Sequence, residues 1–369
     1  MALILSEEEK MLKSSAKEFL AERSPVEALR RLRDENDAHG YDRSLWMEMA
    51  EMGWTALTID EAYGGLGFGY VGLGQIMEEC GRTLAASPLV STALLGTSII
   101  SLGGTEAQKQ ALLPEIMEGS MITALAFEEK NSHRPFDVST VAEKSGEGYK
   151  ISGKKVFVLD GHVADKLIVS AMAEGEIALF VIDAKSAGVS IERRFMMDSR
   201  NAATVSLDGV EIKTDDKIGG KAVLEKALDI ARICLSAEMV GSMQEAFERT
   251  IAYLKERQQF GVPIGSFQAL QHRAAHMFSE IELCKAMLLK CLQAIDKDDK
   301  YLAGKASMLK AKVGEVLKLV SNEAIQMYGG IGVTDDEEIG FFMKRARVAQ
   351  QTFGDYNYHL DRFATLNGF

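Results

Sequence analysis

Apolar residues recur at three- and four-residue spacing from Ser6 to about Glu118, the period of helices that bury one face. "SEEE" at Ser6 to Glu9 supplies an N-cap and an acidic first turn. From about Ile122 to Ile218 the period shortens. "YKISGKKVFVLDG", "KLIVSAM", "IALFVID" and "ATVSLDGVEI" are short alternating runs rich in Val, Ile and Phe, separated by Gly, Asp and Asn turns as in a small sandwich or barrel. Helical spacing returns from about Lys221, interrupted by "FGVPIGS" at Phe260 and "YGGIGVTDDE" at Tyr328. The pattern predicts a multidomain α+β protein: an N-terminal helical domain over 1–120, a middle antiparallel β domain over 121–219 and a C-terminal helical bundle over 220–369.

Composition narrows the classes. A chain of 369 residues, 47% hydrophobic and 26% charged, buries a large core. The longest apolar stretch, "ASPLVSTALLGTSIISLGG" from Ala86, is broken by Ser, Thr, Pro and Gly, so no membrane span is expected. "MALILSEEEKMLKSS" lacks the basic start and small-residue cleavage site of a secretory signal, which points to the cytoplasm. A net charge of −12 argues against a nucleic-acid or anionic-membrane surface. Short basic pieces, "KERQQFG" and "FFMKRARVAQQ", could still hold a phosphate-bearing small molecule. Cys80, Cys234, Cys284 and Cys291 form no CxxC pair and read as reduced, buried thiols.

Three patterns invite a chemical reading and do not carry it. Gly67, Gly69 and Gly72 match GxGxxG, but the dinucleotide motif needs a strand before it and an acid about 20 residues on, and a helical block surrounds this one. His272 and His276 stand four apart on a predicted helix without HExxH or an evident third ligand, so no metal is expected. The 18 methionines read as helix-core filler.

Three separated pieces read together carry more. "GWTALTIDEAYGGLG" (Gly53 to Gly67), "YLKERQQFGVPIGSFQALQHRAAHM" (Tyr253 to Met277) and "AIQMYGGIGVT" (Ala324 to Thr334) resemble the acyl-CoA dehydrogenase family, in that family's order. The resemblance covers nearly the whole chain and implies an FAD flavoprotein that oxidises the Cα–Cβ bond of an acyl-CoA thioester. In the family a carboxylate removes the α-proton, the β-hydrogen leaves as hydride to the flavin, and electron-transfer flavoprotein takes the electrons.

Carried over by motif, Arg257, Gln259 and Phe260 of "RQQFG" resemble a segment that reaches the FAD of an adjacent subunit, the guanidinium pairing with its pyrophosphate. Gln268 would approach the same cofactor. Gln326, Gly329 and Gly330 of "QMYGGIG" resemble a second such segment, where glycine lets the backbone lie against phosphate or adenosine. Both segments also read as local structure, a glycine-capped helix end and an FGxPxG turn. The resemblance implies a homotetramer, or a heterotetramer with a homologous subunit, built on flavin-sharing dimers.

The chain's own half of the flavin site departs from the family. Where a Thr-Glu-Pro, glycine-rich, Ser-Asp loop is common, this chain has "FEEKNSHRPFDV" from Phe127 to Val138. Where Trp-Ile-Thr-Asn-Gly is common on the flavin-facing strand, it has Phe157, Val158, Leu159, Asp160 and Gly161, and leucine offers no side-chain hydrogen bond.

The base is also displaced. Aligning the glycine of "QTFGDYN" puts Phe353 where many members carry the catalytic glutamate, and the second position used in the family, directly before an arginine, is Ala231 beside Arg232. Arg232 is thereby a candidate substrate-binding residue. Asp355, two residues past Phe353, and Glu238, two helical turns or about 10 Å beyond Ala231, are the remaining candidate bases. Asp355 could equally cap a turn, and Glu238 could equally partner a buried arginine. Three readings follow: a dehydrogenase with a displaced base, for a bulky or branched acyl group such as a sterol side chain; a base-lacking companion subunit that completes the FAD site of a partner in trans; or a scaffold that keeps only the fold. The loss of cis features with retention of trans segments favours the companion.

Overall fold

The computed structural model describes residues 4–369. The reading of the N-terminus as free of a secretory signal rests partly on Met1, Ala2 and Leu3, which lie outside the described residues. Helices come first, then strands, then helices, as the periodicity predicts. By compactness the chain resolves into two units that are not contiguous in sequence: one holds the residues up to Arg31, Tyr70–Ala85 and Arg232–Phe369, the other Leu32–Gly69 and Ala86–Ala231.

In the first unit, α1 (Glu7–Arg23) starts at Ser6, whose hydroxyl accepts from the Glu9 N–H while its own N–H donates to the Glu9 carboxylate. Helix α2 (Val26–Asp34) begins here and ends in the second unit, and α3 (Arg43–Glu51) belongs to the second. The first turn of α4 (Tyr70–Thr83) is capped from far along the chain. Asp296 accepts from the Tyr70 and Val71 N–H groups at 2.7 and 3.1 Å. Helices α5 (Thr97–Gly103) and α6 (Glu106–Met117) lie in the second unit; α7 (Lys221–Glu256) runs from the second into the first over 36 residues. Helices α8 (Gln268–Asp296), α9 (Leu302–Tyr328), α10 (Ile339–Gln351) and α11 (Tyr356–Leu366) complete the first unit.

Glycine sets how closely α4 and α7 approach. A Cβ on Gly241 would stand 1.7 Å from the Glu78 carbonyl oxygen, and one on Gly81 would stand 1.9 Å from that of Glu238. Each helix thus lays a glycine on the other's backbone. Beside the crossing, Lys13 pairs with Glu78 at 2.7 Å and Arg82 with Glu245 at 2.7 Å.

The second unit is built on one eight-stranded sheet: β1 (Thr123–Ala126), β2 (Val141–Ser145), β3 (Gly148–Leu159), β4 (Lys166–Ala173), β5 (Glu176–Asp183), β6 (Val189–Phe195), β7 (Asn201–Lys213) and β8 (Lys217–Gly220). Its order is β6-β7-β3-β2-β4-β5-β8, with β1 on β4. The ladders are antiparallel as expected except that β1 and β2 run parallel to β4, because the loop 127–140 lets the chain return in the same direction. Ile151, Val158, Leu167, Val169, Phe180, Val205 and Val210 form the sheet's apolar core. A register shift between Lys155 and Val158 bulges β3 against β7, and Phe157 at the bulge takes φ +52°. Gly67, Gly69 and Gly72 have no strand before them, since the first strand among the described residues is β1. No helix among the described residues is long and apolar enough to cross a membrane.

Gly241→Ala should cost at least ~2 kcal/mol, the range of an overpacked core contact, because backbone and not a flexible side chain meets the new methyl. Urea unfolding checks this. A midpoint within error of wild type would mean that α4 and α7 can separate freely.

Candidate functional site

Helix α7 delivers Ala231 and Arg232 to the interior, where both are buried. Arg232 Nε donates to the Phe353 carbonyl at 3.0 Å, and its guanidinium lies 5.6 Å from the centre of the Tyr358 ring. His359 Nε2 donates to the same carbonyl at 3.1 Å, which fixes the proton on that nitrogen. Phe353 is buried and takes φ +61°, a left-handed conformation uncommon for an aromatic residue, and Gly354 follows at +108°. The Phe353 carbonyl in the turn after α10 is thus held by side chains of α7 and α11, and the Phe353 ring itself is buried.

Lys310, on α9, holds the next carbonyl. Its Nζ donates to Gly354 O and Gln350 O, both at 3.1 Å. Complete burial, and then the neighbouring Arg232, push the amine down to about 7 from the usual lysine value of 10.5. Lys310 lies outside every motif that pointed to the site. The signal was present, since Lys310 shares a helical stripe with Ala306, Leu309, Val313 and Leu317, all buried.

Glu238 is buried, and both its oxygens go to Arg345, Oε1 from Nε at 2.8 Å and Oε2 from an Nη at 3.0 Å. Asp355 is the N-cap of α11, its Oδ1 accepting from the Tyr358 N–H at 2.8 Å. Both carboxylates thus sit in the local roles that each could equally fill. Ala231 and Phe353 offer no proton acceptor at all.

A second cluster lies on the exterior of the same unit. Tyr253 and Tyr328 stack at 4.2 Å with ring planes 10° apart, and the Tyr253 hydroxyl donates to Tyr328 O at 3.2 Å. This stack brings the ends of α7 and α9 together. Beyond it, β9 (Gln258–Gln259) and β10 (Val262–Pro263) form a hairpin closed by the Ile264 N–H to Arg257 O bond. Arg257, Gln259, Phe260, Gln268, Gln326, Gly329 and Gly330 are all exposed. Phe260, at φ +53°, is 92% exposed although Phe267 stands edge-on at 6.1 Å, a poor solution for an aromatic ring. A Cβ on Gly329 or Gly330 would meet nothing within 4 Å, so the backbone there is open to a close-lying ligand. An exposed guanidinium beside bare glycine backbone suits a phosphate-bearing cofactor.

The sheet unit offers less to such a cofactor. Val158 faces the core, and Phe157 and Leu159 are half-buried. Asp160 at the strand's end accepts from Ser91 Oγ at 2.6 Å. Loop 127–138 is closed by its own acids, Glu128 on His133 and the Arg134 N–H, Lys130 on Asp137, and Glu129 on Lys155. The exterior cluster leaves its guanidinium and glycine backbone exposed, whereas this loop turns its acids on its own donors and on Lys155.

No group of three or more His, Cys, Asp or Glu residues that could hold a metal occurs among the described residues, and His272 and His276 are exposed on α8. All four cysteines are buried and none is in a disulfide, and burial pushes the Cys284 and Cys291 thiols up to about 12.

The chain resembles known proteins along most of its length. The profile described as acyl-CoA dehydrogenase, N-terminal domain, matches residues 6–120, and the C-terminal domain profile matches 219–365. The chain is 33% identical to acyl-CoA dehydrogenase FadE12 of Mycobacterium tuberculosis over 86% of each chain. It is 29% identical to mitochondrial isovaleryl-CoA dehydrogenase of Pongo abelii, over 93% of this chain and 85% of that one. Among solved structures it is similar to a point variant of the Tcur3481-Tcur3483 steroid ACAD, with a TM-score of 0.90, 31% identity and 98% of both chains covered. The ChsE4-ChsE5 complex from Mycobacterium tuberculosis shares the fold at a TM-score of 0.93 and 22% identity over the whole of both chains.

Stability should rise with pH between about 7 and 10.5, because the unfolded Lys310 amine keeps a proton that the folded one has lost. Lys310→Met should remove this contribution, so the gain in urea midpoint from pH 7 to about pH 9.5 is smaller in the variant. An equal or larger gain in the variant would show that Lys310 stays charged in the fold.

Proposed function

Because the chain belongs to the acyl-CoA dehydrogenase family, we propose that it serves α,β-dehydrogenation of an acyl-CoA thioester as the companion subunit of a heteromeric enzyme, binding FAD in trans and leaving the α-proton base to its partner. One observation carries the division of labour. Of the four positions at which a base was sought, two hold Ala231 and Phe353, one carboxylate is bound at both oxygens by Arg345, and the other caps a helix.

The binding half rests on the exterior cluster. Arg257 would pair with the cofactor pyrophosphate, Gln259, Phe260 and Gln268 would flank it, and Gln326 with Gly329 and Gly330 would lie against the adenosine part. FAD, when bound, supplies the hydride acceptor. Arg232 belongs to this reading as the residue that orients the Phe353 turn. The heteromeric arrangement is supported by the similarity to the Tcur3481-Tcur3483 steroid ACAD, and a steroid or other bulky acyl group is the substrate class we favour. We take electron-transfer flavoprotein as the electron acceptor, the cytoplasm as the site of action, and 1–120, 121–219 and 220–369 as the functional divisions.

Arg257→Ala should weaken FAD retention at least ~10-fold without shifting the unfolding midpoint, since the side chain is exposed and ties no two elements together. Flavin absorbance after gel filtration reads this, and undiminished retention would remove the pyrophosphate assignment. Asp355→Asn isolates the base question, because asparagine caps a helix as well as aspartate does. In the flavin-loaded assembly this variant should reduce flavin at close to the wild-type rate. A drop of ~100-fold or more would make Asp355 the base and the chain a self-sufficient dehydrogenase.

A further inference from the structure

Loop 35–42, which follows α2, is held from the sheet through three consecutive carbonyls. Arg193, on β6, donates from one Nη to Asp37 O at 2.6 Å and from the other to Ala38 O at 3.0 Å. His162, in the turn after β3, donates from Nε2 to His39 O at 2.9 Å. Gly40 then lies directly on Asn201. A Cβ there would stand 1.7 Å from Asn201 Nδ2, and Asn201 Oδ1 accepts from Arg193 Nε at 2.7 Å. Asp37 Oδ1 takes the His39 and Gly40 N–H groups at 2.8 and 2.7 Å, which leaves the loop's carbonyls to the sheet. All of these residues belong to the second unit.

His162 is the titratable member of this set. Because Nε2 carries the proton that His39 O receives, the neutral ring leaves Nδ1 bare. Nδ1 is buried and has no hydrogen-bond partner among the described residues. Protonation there would bury a donor without an acceptor and set a second positive charge near Arg193. Burial holds the imidazole below the usual 6.5; the His39 carbonyl pulls it up, and Arg193 and the His39 ring push it down. Asp37, Asp160, Asp165 and Arg43 act electrostatically on Tyr41, the buried ring edge-on to His39 at 6.2 Å, and none of these acids hydrogen-bonds to His162. The turn that carries His162 is also tied at Asp160 to Ser91 Oγ at 2.6 Å and at Asp165 to the Ile122 N–H at 2.9 Å, so it joins loop 35–42 to two other segments.

We propose that His162 and Arg193 form a pH-sensitive clamp: the neutral imidazole and the guanidinium hold loop 35–42 by the carbonyls of Asp37, Ala38 and His39, and protonation of His162 at Nδ1 releases the loop. A released histidine takes up a proton more readily than the clamped one, so the clamp is at full strength above about 6.5 and weakens as pH falls below it. The loop leads into α3 and the turn follows β3, so the release acts where that strand ends. The clamp depends on no reading of the flavin site.

Hydrogen exchange followed by mass spectrometry on the full chain, at about pH 7.5 and about pH 5.5 with rates corrected for the intrinsic effect of pH, tests the clamp. Peptides covering 35–42 should lose protection ~5-fold at the lower pH, while those covering 166–183 in the same unit keep theirs. No loss over 35–42, or a parallel loss over 166–183 that marks unfolding of the whole unit, overturns the proposal. His162→Gln keeps a nitrogen donor for His39 O on a side chain that does not titrate, so its loop should stay protected at both pH values. A response of wild-type size in this variant would assign the titration to His39 or another group and sink the clamp. Arg193→Lys keeps the charge but loses the planar fork that serves two carbonyls, and it should lower protection of 35–42 at least ~5-fold already at the higher pH. Unchanged protection there would show that the guanidinium does not hold the loop, and would equally overturn the proposal.

Discussion

Basic side chains taken out of water are the constraint around which the larger helical part of this chain is organised. Arg232, Lys310 and Arg345 are each nearly inaccessible, and each must replace its hydration with acceptors supplied by the fold. Glu238 serves Arg345, while the carbonyls of Gln350, Phe353 and Gly354 serve the other two, with Tyr358 stacked beside Arg232. Helices α7, α9, α10 and α11 are thereby tied at one place. Losing Glu238 would leave the Arg345 charge buried without its carboxylate, a cost of several kcal/mol by the usual figures for broken buried pairs.

This constraint acts on main chain, and that has a functional consequence. The turn at Phe353 is fixed at the carbonyls of Phe353 and Gly354, with the backbone left-handed at both residues, so Arg232 and Lys310 are engaged with main chain there. The Glu238 carboxylate is likewise structural, both its oxygens being committed to Arg345.

What was legible in the sequence followed from period and from motif. The switch from helical to alternating spacing near Ile122 and back near Lys221 is visible because one face of each element is buried, and β1 and α7 begin within one residue of those points. Ser6 was legible as a cap because its partner Glu9 is three residues away. The Glu238 pair with Arg345 was not, since 107 residues separate the partners and no local pattern records a long-range ion pair. Lys310 was hidden for a different reason. A lysine on an apolar stripe reads as an exception until the carbonyls that receive it are seen. Glu129 likewise sits in a polar loop of ordinary composition, and only the fold shows four donors meeting on it.

The contrast between interior and surface favours a subunit over a scaffold. Glu238 is buried against Arg345, and Asp355, half-buried, caps α11. Outside, the Arg257 side chain reaches into solvent, Phe260 leaves most of its ring in water, and Gly329 and Gly330 keep bare backbone open. An exposed aromatic ring at positive φ costs both hydration and backbone strain, and one edge contact with Phe267 offsets little of either. A protein retained for its fold alone would gain by removing such features. The proposed companion role gives these features a reason to be kept, since a ligand on another subunit would supply the partners that the exposed cation, the ring and the bare backbone lack within the chain.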